Sequence, residues 1–156
     1  MSDQPVEVRQ CTPADLPLLQ AREVRPGSQF AERNLALAEG GDYFFVGAFT
    51  SGDVMGYVVL DCRDEAELRP EMKGLWVYPE YRWQGLGVRL TRFIEGIAAE
   101  QGFDAVQLSV DPENPAAIPM YIGLDYTPTG DHRAVVDDEG AEQHEAIYRK
   151  SLRITR

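Results

Sequence analysis

Arg82-Trp83-Gln84-Gly85-Leu86-Gly87 links a β-rich run to a helical one, and its residue types suit phosphate chemistry. Glycine at 85 and 87 lets the backbone turn sharply and lets a ligand come close. A helix that starts there presents unpaired amide N–H groups and a partial positive charge, which together form a binding site for pyrophosphate. Arg82, Arg89 and Arg92 add positive charge, and no acid lies between Tyr81 and Ile94. In a chain of net charge −11 that gap singles the segment out. Two familiar phosphate loops fit badly. The dinucleotide fingerprint wants glycine where Leu90 stands, and the nucleoside-triphosphate loop wants Gly-Lys-Ser/Thr.

The wider segment Met72-Lys73-Gly74-Leu75-Trp76-Val77-Tyr78-Pro79-Glu80-Tyr81-Arg82-Trp83-Gln84-Gly85-Leu86-Gly87 resembles the core motif of the GNAT superfamily of N-acetyltransferases. Asn114-Pro115-Ala116-Ala117-Ile118-Pro119-Met120-Tyr121 resembles that family's second motif. The resemblance implies one N-acetyltransferase domain over residues 1–156, with acetyl-coenzyme A as co-substrate. It implies that the amides of Trp83, Gln84, Gly85, Leu86, Gly87 and Val88 bind pyrophosphate, with Arg82 beside them. The backbone of Leu75, Trp76 and Val77 would pair with the pantetheine arm as another strand does. An amide near Val77 would polarise the thioester carbonyl, and Asn114 would touch the pantetheine or its neighbouring backbone. Tyr121 would protonate the departing thiolate. This chain differs in having Trp83 where the family often has Gly, and Asp125-Tyr126 where it usually has Gly-Phe or Gly-Tyr.

Acetyl transfer to an amine needs a neutral amine, a stabilised oxyanion and a protonated leaving thiolate. Tyrosine, with an ordinary pKa of about 10, can donate to a thiolate whose acid has a pKa of about 8.5. Glu71, on the strand that would bind the thioester, is the expected base, acting through a water. Glu67 and Asp61 compete for that role, and His132 and His144 in the terminal strands are weaker candidates. Neither Cys11 nor Cys62 has a recognisable His partner, which argues against an acyl-cysteine route. The leading expectation is direct transfer, within a ternary complex, to a primary amine of a small molecule or a peptide. The alternatives are a non-catalytic acyl-coenzyme A sensor built on the same cradle, and a plain α/β domain without a ligand. Segment 131–145 carries Asp131, Asp137, Asp138, Glu139, Glu142 and Glu145 against Arg133 alone. Asp61, Asp64, Glu65 and Glu67 crowd another turn. If they line the acceptor side, a cationic acceptor is expected; otherwise they are solvated charge.

These residues must be positioned by the elements between them. Val6-Glu7-Val8 begins a strand, and Thr12-Pro13-Ala14-Asp15 reads as a helix start that Pro17 keeps short. A second helix runs from about Ser28 to the stop at Gly40-Gly41. Tyr43–Phe49 and Val54–Leu60 form a hairpin. A third strand ends at Val77, and a bulge near Lys73-Gly74 would bring Met72, Leu75 and Val77 to one side. Leu86, Leu90, Phe93, Ile94, Ile97 and Ala98 mark one buried helix face. Val106, Leu108 and Val110 alternate as a strand, Asn114–Gly123 reads as a helix, and Tyr126–Val135 with Gln143–Leu152 closes the chain as a strand pair. The order β-α-α-β-β-β-α-β-α-β-β predicts an α/β fold, a mixed and mostly antiparallel sheet with helices on both faces.

Composition narrows the function classes. The length of 156 residues suits one domain. No apolar run reaches the roughly 20 residues of a membrane span, and Met-Ser-Asp-Gln-Pro-Val-Glu lacks the features of a signal peptide. Two isolated cysteines suit a reducing cytoplasm as core filler, and no Cys/His cluster has metal-ligand spacing. The acidic balance argues against a nucleic-acid partner. A homodimer is compatible with all of this.

Overall fold

The computed structural model describes residues 5–23, 27–114, 116–137 and 139–152. Met1–Gln4, Pro115 and Asp138, which the sequence reading used, lie outside them. The elements are β1 (Glu7–Gln10), α1 (Leu16–Ala21), α2 (Phe30–Ala38), β2 (Tyr43–Thr50), β3 (Asp53–Asp61) and β4 (Glu71–Val77). After these come α3 (Leu86–Glu100), β5 (Ala105–Val110), α4 (Ala117–Gly123), β6 (Thr127–Val136) and β7 (Glu142–Ser151). The order is the predicted one.

A single 3-10 turn, Pro13–Asp15, leads into α1. Asp15 ties it down, accepting from the Thr12 amide at 2.7 Å and from both terminal nitrogens of Arg9. Pro17 lies inside the first turn of α1, where a missing N–H costs no bond, and the helix runs six residues.

Among the described residues, seven strands form one sheet in the order β1-β2-β3-β4-β5-β7-β6. β2 is buried along seven of its eight residues because both faces are covered. Phe44, Val46 and Ala48 point into one core with α3, while Tyr43, Phe45 and Phe49 point into a second core with α1 and α2. On α3, Leu86, Leu90, Ile94, Ile97 and Ala98 are buried. The larger of these contribute roughly 1.5–3 kcal/mol each.

Two irregularities shape the middle of the sheet. The β3–β4 register runs Tyr57↔Trp76 and then Val59↔Lys73, so Gly74 and Leu75 together face Val58. Gly74 has φ +68°, which only glycine adopts freely. This bulge lies one residue beyond the predicted place, and Met72, Leu75 and Val77 do pack on one core. The second irregularity is the parallel join of β4 to β5, which consists of one pair, Glu71↔Gln107. From Met72 to Val77 the β5-facing edge of β4 pairs with no strand among the described residues.

Candidate active site

The polypeptide leaves β4 through the turn Pro79–Tyr81 and enters α3 through two left-handed residues, Trp83 at φ +68° and Gly85 at φ +77°. The first bond into the helix runs from the Arg89 amide to the Gly85 carbonyl at 3.1 Å. The amides of Leu86, Gly87 and Val88 therefore precede the helical ladder. Trp83 is 100% exposed, so its indole packs against no other part of the protein. Its backbone conformation costs a side chain about 1 kcal/mol or more. Arg82 turns back on the strand: its Nε donates to the Val77 carbonyl at 2.9 Å, and its guanidinium lies 4.8 Å from the centre of the Trp76 ring.

These amides and the strandless edge of β4 border one cavity of about 430 Å³. It is lined by Leu75, Trp76, Val77, Arg82, Trp83, Gly85, Leu86, Gly87, Val88, Asn114 and Tyr121. Of the predicted coenzyme contacts, Gln84 alone is absent from this lining. Sequence reasoning missed Tyr81, Ala116, Ala117 and Met120, which also line it. Two signals were present: paired small residues beside Asn114, and a Met able to face Gly87 from the next helix.

Asn114 caps the start of α4, its Oδ1 accepting from the amides of Ala116 at 3.1 Å and Ala117 at 3.2 Å. Its side-chain oxygen thus serves neighbouring backbone. The helix begins at Ala117 rather than Asn114. Tyr121 packs edge-on to Tyr126, ring centres 5.9 Å apart. Burial pushes its phenol up to about 12, so the hydroxyl stays protonated through neutral pH. Asp125 takes φ +74°, the left-handed turn that glycine makes without penalty, and the Tyr126 amide closes on the Tyr121 carbonyl at 2.9 Å. Tyr126 is then buried, its hydroxyl donating to Glu95 at 2.8 Å, which Lys150 also holds at 3.0 Å.

Glu71 lies outside this cavity. It is buried and lines a second one of about 410 Å³ with Asp61, Arg63, Glu65, Glu67, Lys73 and residues 133–136 of β6. Arg133 grips both Glu71 carboxylate oxygens, with Nη1 at 3.3 Å. Its Nε donates to Ser109 Oγ at 2.9 Å, and Ser109 donates to Glu145 at 2.7 Å. Asp61, opposite Glu71 on the ladder, takes Arg63 at 2.8 Å and Lys73 at 2.8 Å. Burial works against the Asp61 carboxylate, but these two cations outweigh it and bring its pKa down to about 2.

The predicted acidic wall is only partly assembled. Asp61, Glu65 and Glu67 do border the second cavity, but from the hairpin it takes Arg133 and the apolar Ala134, Val135 and Val136, and none of the described acids. Asp137 is occupied by the amides of its own turn, Glu139 and Ala141. His132 and His144 are exposed on the hairpin and line neither cavity. Burial pushes the Cys11 thiol up to about 12 and the Cys62 thiol up to about 11, which leaves neither as a thiolate nucleophile. Among the described residues no helix is long and apolar enough to cross a membrane.

The model of the acetyltransferase (GNAT) family matches residues 9–126. Among solved structures, the yncA acetyltransferase of Salmonella typhimurium, determined with its cofactor acetyl-CoA, superposes with a TM-score of 0.75 at 17% identity, over 97% of this chain and 96% of that one. The ribosomal-protein-S18-alanine N-acetyltransferase of Escherichia coli gives 0.72 at 20% identity, over 97% of each chain. A spermidine/spermine N-acetyltransferase of Vibrio cholerae gives 0.73 at 15%, over 96% and 93%. At these identities the structural likeness is one of fold.

Proposed function

The chain belongs to the acetyltransferase (GNAT) family, and we propose that it moves an acetyl group from acetyl-coenzyme A to a primary amine by direct transfer in a ternary complex. The observation that carries this reading is one cavity bordered by an amide cradle, an unpaired strand edge and a protonated tyrosine. An extended chain of amide groups can add to an open sheet edge through main-chain hydrogen bonds, and the pantetheine arm is such a chain. Pyrophosphate suits the first amides of α3. Gly87 fits the same account, because a Cβ there would stand 3.2 Å from Met120 Sδ, narrowing the cavity between α3 and α4.

The co-substrate supplies an activated acetyl thioester; the protein supplies position and protons. A backbone amide of the bulged segment near Val77 meets the negative charge that develops on a carbonyl oxygen. Tyr121 donates to the leaving sulfur. Its phenol is a weak acid at about 12, but a thiolate released into the same apolar surroundings is desolvated too, which raises its basicity and brings the two towards balance. Glu71 lies on the strand before the bulge and outside the first cavity, so it takes the amine proton through water. The acceptors named for two structural neighbours, the alanine of ribosomal protein S18 and spermidine or spermine, carry primary amines and support that acceptor class. The acids at the second cavity favour approach of a cationic amine.

One observation favours a second reading, a non-catalytic acyl-coenzyme A sensor: the Glu71 carboxylate is already occupied by Arg133. Release of free coenzyme A thiol with a panel of amines decides between them. Amine-dependent release supports the enzyme; a thermal shift with acetyl-coenzyme A but no release supports the sensor.

A further inference from the structure

Glu95 is a carboxylate on the apolar face of α3, buried with Leu90, Ile94, Ile97 and Ala98. Its two oxygens have separate partners. Oε2 accepts from the Tyr126 hydroxyl at 2.8 Å, and Oε1 accepts from Lys150 Nζ at 3.0 Å. Lys150 comes from β7 and Tyr126 from the turn after α4, so three parts of the fold meet at one carboxylate. A buried ion pair is a weak source of stability, because desolvating both charges offsets their attraction. A buried polar network with every member satisfied does supply rigidity. Tyr126 is held at three points. Glu95 takes its hydroxyl, Lys150 Nζ lies 5.8 Å from its ring centre, and its amide donates to the Tyr121 carbonyl at 2.9 Å.

Tyr121 is held differently. Among the described residues no hydrogen bond aims its hydroxyl, and burial alone shifts its acidity. Its ring is set by packing, edge-on to Tyr126 with the ring planes at 69° and the centres 5.9 Å apart. A group that must deliver a proton needs its position held to within roughly 0.5 Å. The rigid neighbour that can do this is the Tyr126 ring.

We infer that Glu95 is a positioning residue for acetyl transfer: it locks Tyr126, and the locked ring aims the Tyr121 hydroxyl at the leaving sulfur. This rests on the acetyl-transfer reading and adds to it a residue that lines neither cavity. The proton still passes from Tyr121 to the thiolate, which leaves as a thiol. Glu95, Tyr126 and Lys150 exchange none. Lys150 neutralises the carboxylate and keeps it buried.

The experiment compares wild type, Tyr126→Phe, Tyr121→Phe, the double variant and Glu95→Met. Transfer is followed in a single turnover of acetyl-coenzyme A, with the fastest acceptor among spermidine, free amino acids and an alanyl peptide. Tyr126→Phe keeps the ring and cuts its bond to Glu95. It is expected to slow transfer about tenfold, the scale of a small misplacement, with the calorimetric Kd for acetyl-coenzyme A unchanged. In the Tyr121→Phe background the same change is expected to cost less than about twofold, because no proton donor is left to aim. A second readout needs no ligand. In tyrosine-labelled protein, the Tyr121 ring signal in the magnetic resonance spectrum is identified by its loss in Tyr121→Phe. Glu95→Met and Tyr126→Phe are each expected to move it, and Tyr126→Phe decides if Glu95→Met does not fold. A Tyr126→Phe rate equal to wild type, an equal loss in both backgrounds, or a Tyr121 signal that stays in place overturns the inference and leaves acetyl transfer intact. An unchanged rate in Tyr121→Phe removes the proton donor, and no release with any amine overturns the transfer reading; the inference falls with either.

Discussion

Met120 Sδ lies 3.2 Å from the place a Cβ on Gly87 would occupy, so α3 and α4 approach each other over a residue without a side chain. Gly85, two residues earlier, meets nothing within 4 Å but holds φ +77°. One glycine leaves room for the Met120 side chain, and the other holds a backbone conformation that side chains rarely adopt.

Acetyl-coenzyme A is expected to raise the melting temperature by mass action, on the order of 2.7 kcal/mol of added stability at a hundred times Kd. Gly85→Asp and Gly87→Asp are each expected to abolish that shift, since each brings a negative charge to the cradle. A thermal scan with and without the ligand checks this; wild-type binding by either variant would misplace the pyrophosphate.

Tyr121→Phe keeps the ring against Tyr126 and removes the proton donor. It is expected to lower kcat roughly 10²–10⁴-fold with little change in coenzyme affinity. Steady-state rates with a calorimetric Kd separate the two, and an unchanged kcat with chemistry rate-limiting would remove Tyr121 from the mechanism.

Glu71→Gln is expected to slow transfer at neutral pH and to recover in part at high pH, where the amine loses its proton unaided. It also leaves Arg133 with a neutral partner in a buried setting, at a cost of up to about 3 kcal/mol. The pH–rate profile must therefore be taken below the variant's own melting temperature. A loss of equal size at every pH would mark Glu71 as structural.

Asp125→Gly relieves a left-handed residue at φ +74° and is expected to stabilise the protein by about 1 kcal/mol. For a chain of this size that is roughly 2–4 °C in Tm. A fall in Tm would mean that the Asp125 carboxylate does more than occupy the turn.

The helices and strands were legible because their periodicity is local: α3 shows its buried face in Leu86, Leu90 and Ile94, and β5 alternates cleanly. The bulge was legible because Gly74 falls where Met72, Leu75 and Val77 need one extra residue. The first cavity followed from the glycines, whose backbone demands do not depend on distant partners. The second cavity did not, because its charges come from β3, β4, β6 and the loop before β4. Nothing near Arg133 in the sequence points to Glu71, 62 residues away. Summing the hairpin's acids pointed to an acidic wall, whereas strand alternation turns Arg133 inward and leaves His132 and Ala134 exposed.

The single ladder pair at Glu71↔Gln107 makes the sheet two leaves joined at a spine. β1–β4 form one leaf and β5–β7 the other, and Arg133 staples them beside the spine by holding Glu71 on the first and Ser109 on the second. Any molecule lodged between the leaves touches both at once.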